Sequence, residues 1–392
     1  IAEESTAWPK ITGALDEDGL GFDLKWNMGF MNDYLSYIQT DPYFRSGRHN
    51  DLTFSIIYAY SENFMLVFSH DEVVHGKATL LGKMPGERKD QFANMRLTYA
   101  YHMTHPGKKL LFMGQDIGEY DEFDEGRAVE WELLQYEEHK GLNQLVADMN
   151  RLYVSKPALY AKDTSWDGFE WINCITPDCC MLSYIRKAEK PEDMLVIVAN
   201  FANKAQQFRV GVPYEGKYKE ILNTDAKAYG GSDDVNREIC HTTEIEWDGK
   251  PYAIDMVSAP LSISIFSYTP YTKAEKEEIE RERAEKLRLE KEAEERRLAA
   301  EEMERAVRAA EEAKRLAESA VAEAEEQARQ AAKRIEERKQ EAVQLEKIAK
   351  EAEKNLELLA EKQKKEHEER QQVKNNSVKK PASKKKAEQK RR

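Results

Sequence analysis

Long apolar runs are missing from this 392-residue chain: the longest are short stretches such as "LVIVANF" at 195–201, well under the roughly 18 residues a membrane helix needs. No membrane partner is therefore expected. Cysteine is scarce as well. Cys174, Cys179, Cys180 and Cys240 match no zinc spacing and are too few to staple a chain of this size, which points to a reducing, cytoplasmic setting. The opening "IAEESTAWPK" lacks a basic n-region and an apolar h-region, so no signal peptide is expected. Proline and glycine are absent between Pro270 and Pro381, which removes the usual punctuation of turns from that whole stretch.

What is there is charge, unevenly spread. Lys and Arg number 60 against 73 Asp and Glu, a formal −13, and 34% of residues are charged. Residues 1–271 hold 26 basic and 42 acidic residues, net −16, whereas 272–392 hold 34 and 31, net +3. The first stretch has a globular composition, and its negative charge argues against nucleic acid as a partner, since phosphate contacts need clustered Lys and Arg. The second stretch is too charged to bury a core of its own.

Residues 1–160 alternate short apolar runs with helical patterns, the signature of consecutive βα units. Strands are expected at 1–4, 21–26, 64–69 and 109–113, and helices near 31–39, 51–61, 89–104 and 141–155. Four strands and four helices make half of a (β/α)8 barrel, which takes about 250 residues when complete. From 161 to 271 the pattern changes to closely spaced strands, "FEWINC", "MLSYIRK", "MLVIVANF", "FRVGV", "YKEILNT" and "LSISIFSYT". These predict a small all-β domain, a sandwich. Residues 272–370 read as one long charged helix. Two seams repeat every seven residues, one from Leu289 to Leu359 and one from Ala293 to Leu356, broken only at Arg296, Lys314 and Arg338. Such a stripe predicts a coiled coil through 289–359, by self-association or with a helical partner. Residues 371–392, with nine basic residues and one acidic, read as a disordered basic tail.

Two places carry candidate chemistry. Glu3 and Glu4 fall at the C-terminal end of the first strand, where a βα barrel builds its site; a pair of solvated acids is the plain alternative. In "FSHDEVVHGK" at 68–77, a strand runs into Ser69, His70, Asp71 and Glu72. His70, Asp71, Glu72 and His75 lack the spacing of a helical zinc motif, so no metal is expected. Asp71 beside a histidine suits the holding of sugar hydroxyls and the stabilisation of positive charge at an anomeric carbon. Lys25, Trp26 and Asn27 end another strand, with Trp26 as a sugar-stacking face or, equally, as a cap on the core. Trp131 and Trp166 are expected at the junction of the two folded parts. Cys179 and Cys180, read as neighbours in a strand, would face opposite ways and form no dithiol.

The segments "IAEEST", "GLGFDLKWNMGFMND", "LTFSIIYAYSENF", "SHDEVVHGK", "PGKKLLFMG" and "EILNTDAKAYGGS" resemble, in order and spacing, bacterial-type 1,4-alpha-glucan branching enzymes of the alpha-amylase superfamily. The likeness covers 1–271 and stops at the charged helix. It implies the second half of the barrel, strands 5 to 8, followed by the β-sandwich, with alpha-1,4-glucan (glycogen) as substrate and no cofactor. By resemblance Glu3 is the general acid/base of a retaining transfer, Asp71 the transition-state stabiliser and His70 a substrate-binding residue; Lys25, Trp26 and Asn27, from their place at a strand end, are the candidates for further groove contacts. The family's nucleophile, an aspartate on the fourth strand, has no matching segment in this sequence. Without it no glycosyl-enzyme forms. A second departure follows "LLFMG", where "QDIGEYDEFDEG" puts Asp116 in the place of a family glutamate. The resemblance thus implies a glycosyltransferase that is incomplete as this chain stands. Two rivals are a hydrolase of the same superfamily and a non-catalytic glucan-binding scaffold whose helix recruits partners.

Overall fold

The computed structural model describes residues 1–319 and 332–351, the side chains of 311–319 excepted. It divides into two compact units, one spanning Ile1–Pro270 and one beginning at Tyr271.

In the first unit, β1 (Lys25–Asn27), β2 (Phe64–Phe68) and β3 (Lys108–Leu111) form a parallel sheet in chain order. Ala2 extends it by a parallel bridge to Lys25, so the expected first strand contracts to one residue. The helices are α1 (Met28–Ile38), α2 (Asn50–Thr53), α3 (Arg88–Thr104) and α4 (Glu137–Ser155). The Asn27 side chain begins α1 by accepting the Phe30 amide at 2.9 Å, the usual duty of an N-cap asparagine. A reciprocal box between Glu87 and Asp90 opens α3. The helix expected over 51–61 is broken. After the four residues of α2 the chain tightens into a 3₁₀ turn at Phe54–Ile57, because Ser55 is drawn inward to His105 at 3.1 Å while Phe54 and Ile57 face out.

Helix α3 is buried on every side from Asn94 to Thr104. One flank meets the parallel sheet, with His102 donating to Leu66 O at 3.1 Å. Another meets the all-β part, where Thr104 and the Tyr184 hydroxyl lie 2.6 Å apart. A helix covered all round shows little amphipathic period.

The all-β part is a six-stranded sheet in the order β4 (Phe169–Asn173), β5 (Met181–Arg186), β6 (Leu195–Asn200), β11 (Ser262–Pro270), β8 (Gly216–Asn223), β9 (Cys240–His241). A two-stranded ribbon of β7 (Gln206–Val212) and β10 (Tyr252–Ser258) completes it. Alternation assigns the sheet's two faces to two cores. Leu195, Ile197 and Ala199 join the core shared with α3, and Val196 and Val198 join the one that also holds Val210, Val212 and Ile254. Burial on both faces explains the unbroken apolar run of β6.

Two expectations fail here. Cys179 closes a 3₁₀ turn and Cys180 sits at φ 51°, so neither lies in a strand; β5 starts only at Met181. Trp131 is 62% exposed and packs into no junction, whereas Trp166, though 56% exposed, rests its ring 4.6 Å from that of Tyr60.

The second unit contains α5 (Lys273–Ser319), and residues 332–351 are helical too. Glu275 and Thr272 cap its start reciprocally, and rungs such as Arg288 with Glu285 and Glu292 run along the surface. Exposure follows the seven-residue stripe: Ala300 and Ala310 are half-buried and Val307 and Ile335 buried, while Ala299 and Ala309 are exposed. The seam positions Val321, Ala324, Ala328, Ala331, Ala352, Leu356 and Leu359, and the basic stretch 371–392, lie outside the described residues. Among the described residues no helix is long and apolar enough to cross a membrane.

Candidate functional site

Because the strands of the sheet are parallel and adjacent, their C-terminal ends share one edge. Glu3 and Glu4 follow the Ala2 bridge, Trp26 and Asn27 end β1, His70 and Asp71 follow β2, and Phe112 and Met113 follow β3. Sequence positions as far apart as 3 and 71 are thereby delivered to the same side of the molecule.

Glu3 is exposed. Its neighbour Glu4 turns back and accepts the Thr6 amide at 2.6 Å. That N–H, the Thr6 hydroxyl and the charge of Lys25 hold the Glu4 carboxyl below its ordinary value, so Glu4 is anchored as an anion. Past β2 the chain makes a 3₁₀ turn over His70–Glu72. His70 Nε2 lies 3.2 Å from Asp71 Oδ1, both half-exposed, and the His70 ring leans on Phe112 with centroids 5.8 Å apart. The histidine thus steadies one carboxylate oxygen and leaves the other open.

A cleft of about 470 Å³ runs along Glu4–Lys10, Lys25–Gly29, Tyr58 and Glu62. Trp26 lies in its wall. Lys25 and Asn27 line it too, but their polar groups already have protein partners. Lys25 donates to the carbonyls of Thr6 and Trp8 at 2.9 and 3.3 Å, and Asn27 caps α1.

Residues not singled out from the sequence complete this wall. Trp8 is 63% exposed. Glu62 receives the amides of Ile11 and Thr12 at 2.9 and 2.8 Å. Burial pushes the Glu62 carboxyl up, but the Thr12 hydroxyl, these amides and Lys25 outweigh it and hold it below the ordinary value. The Tyr58 hydroxyl is buried without a hydrogen-bond partner, close over the start of α1: a Cβ on Gly29 would meet it at 2.6 Å, so a larger residue there must displace the tyrosine. Trp8 carried a signal, an aromatic just past Glu3; Glu62 and Tyr58 carried none.

Asp116 is taken by the scaffold, its Oδ2 accepting from Asn143 Nδ2 at 2.8 Å. Among the described residues no group of His, Cys, Asp and Glu is placed to hold a metal ion, His70, Asp71, Glu72 and His75 included.

A family profile described as "Alpha amylase, C-terminal all-beta domain" matches residues 171–269, the stretch of β4 to β11. This identifies residues 171–269 as an all-β domain of the alpha-amylase C-terminal type. The 1,4-alpha-glucan branching enzyme of Synechococcus elongatus is 49% identical over 263 residues, 67% of this chain and 34% of that protein. That of Geobacillus stearothermophilus is 47% identical over 266 residues, 68% of this chain and 42% of that protein, and that of Rhodopirellula baltica 47% over 265 residues, 67% and 36%. By its first two thirds the chain belongs to the 1,4-alpha-glucan branching enzyme family. It spans only about a third to two fifths of the length of these relatives. A solved Anoxybacillus alpha-amylase overlaps 64% of the chain at 16% identity and a TM-score of 0.41, too slight a likeness to argue from.

Proposed function

We propose that this chain supplies the acid/base side of a retaining transglycosylase that cuts alpha-1,4-glucan and forms alpha-1,6 branches. Residues 1–160 act as strands 5 to 8 of a (β/α)8 barrel and 161–271 as its C-terminal sandwich. The supporting observation is the shared strand-end edge, where Glu3 follows the Ala2 bridge, Trp26 lies in the last residues of β1, and His70 and Asp71 follow β2.

Glu3 protonates the leaving glycosidic oxygen and later takes the proton of an incoming 6-hydroxyl, the double duty of one carboxyl in a double displacement. Asp71 stabilises positive charge developing at the anomeric carbon, and His70 orients Asp71 while meeting a sugar hydroxyl. Trp26 offers the stacking face of the groove. Lys25 and Asn27 shape it rather than reach substrate, since their polar groups are engaged with the backbone. The covalent glycosyl intermediate needs an aspartate nucleophile that no segment of this sequence matches, so the chain alone binds glucan without turning it over. The heptad stripe through 289–359 pairs with another helical segment, by self-association or with a helical partner.

Purified chain is incubated with linear amylose, and iodine absorbance, branch content and reducing ends are followed beside maltoheptaose binding by calorimetry. Binding without branches is expected. Branching by the chain alone would overturn the account of the nucleophile, new reducing ends would favour the hydrolase, and absence of binding would remove the glucan reading.

A further inference from the structure

We propose that Glu122 is a positioning residue for the loop that bears His70 and Asp71, fastening its return to the loop that follows β3. The two carboxylate oxygens divide between two backbone amides: Oε2 accepts Gly76 N at 2.8 Å and Oε1 accepts Ala78 N at 2.6 Å. His75 adds a contact at 3.5 Å, but its side chain is fully exposed, so that pair contributes little. A parallel bridge between Val74 and Phe123, with Phe123 N donating to Val73 O at 2.7 Å, brings the loops side by side.

This loop needs outside anchorage. Gly76 and Ala78 both lie in the left-handed region, at φ 84° and 63°, and alanine holds that conformation only where its surroundings impose it. The opposite polarity of the same turn is held from the other side, Lys83 Nζ donating to the carbonyls of Lys77 and Ala78. Glutamate on the N–H groups and lysine on the C=O groups thus grip one short segment a few residues past Asp71. Charge-assisted bonds of this kind are about twice as strong as neutral ones.

The functional half of the proposal rests on the glucan reading above; the structural half does not. Hydrogen exchange by NMR is measured on the full chain carrying Glu122→Ala, Glu122→Gln or no change, together with maltoheptaose affinity. In Glu122→Ala the Gly76 and Ala78 amides should exchange about tenfold faster or more, α3 and β6 should keep their protection, and affinity should fall. Glu122→Gln, with one accepting oxygen, should recover part of both. Unchanged exchange at Gly76 and Ala78 would overturn the clamp, and faster exchange with unchanged affinity would overturn the positioning role. An unaltered chain that binds no maltoheptaose would refute the glucan reading instead, leaving exchange to decide the clamp.

Discussion

Arg186 and Asp163 meet at 2.6 Å with their side chains 0% and 3% exposed. The same guanidinium donates to the carbonyl of Thr104 at the end of α3 at 2.7 Å and to that of Leu159, and Lys108 on β3 reaches Asp163 at 3.1 Å. The pair therefore joins β5 to the last turn of α3, the parallel sheet and the segment after α4. Removing Asp163 strands the Arg186 charge in the interior, which costs about 3–5 kcal/mol. Asp163→Asn should lose stability on that scale in urea titrations, and Arg186→Met less, because Asp163 keeps Lys108. All six tryptophans precede residue 271, so their fluorescence reports this unit without interference from the charged helix.

Acid should weaken the first unit from near neutrality. Burial, with Lys109 adding to it, drives the His102 imidazole down to about 3 from an ordinary 6.5, and His105 likewise lies well below its usual value. A histidine whose folded pKa is depressed stays neutral in the fold while the unfolded chain takes up its proton, so its stabilising contribution is full above 6.5 and declines as pH falls toward the folded value. The slope is about 1.4 kcal/mol per pH unit for each such histidine. Asp163 acts lower down. Burial raises its pKa, but Lys109, Arg186 and Lys108 outweigh that and hold it below the usual value, so its contribution disappears only as pH passes through the lowered pKa. Urea midpoints from pH 7 to 4 should fall steadily, and His102→Gln should flatten the slope.

In an assembly that branches glucan, Glu3→Gln and Asp71→Asn should each cut turnover by about 10² to 10⁴-fold while leaving binding largely intact, since both carboxylates act in the transition state. Glu4→Gln should matter far less, because Glu4 is spent on the Thr6 amide. A larger loss at Glu4 would put the assignment one residue out of register.

The 272–370 peptide should gain helicity with concentration and lose association on adding salt. Its stripe is rich in alanine, so each layer buries little, and its surface rungs are screened ion pairs. Circular dichroism and sedimentation at several concentrations check this. A monomer whose helicity ignores concentration would contradict association and leave the stripe solvated or covered from within its own chain, as Val307 and Ile335 are.

Some of this molecule was legible in the chain and some was not, for identifiable reasons. Strand β6 announces itself because burial on two faces demands an unbroken apolar run, whereas β5 and β11 are read through apolar residues interleaved with buried Ser183 and with Ser262 and Ser264. Strand β10 was missed, its "YAIDMVS" interrupted by an exposed Asp255 that pairs with Arg209. The run 51–61 reads as helix from its apolar content, yet the inward pull on Ser55 is invisible in a linear pattern. Among candidate site residues, those in strand-end motifs could be read. Glu62 and Glu122 could not, because each works on backbone amides 44 to 51 residues away, and a backbone amide leaves no mark in the sequence.

The central claim is that the strand-end edge receives glucan. It is tested most directly by the six tryptophan indole N–H resonances of the full chain, assigned by single replacement and titrated with maltoheptaose. The account predicts that Trp26 and Trp8, in the wall of the cleft, shift together along one saturable curve while Trp247, out on the all-β part, stays still. Saturable shifts confined to Trp131, Trp166, Trp171 or Trp247, with Trp26 unmoved, would contradict it.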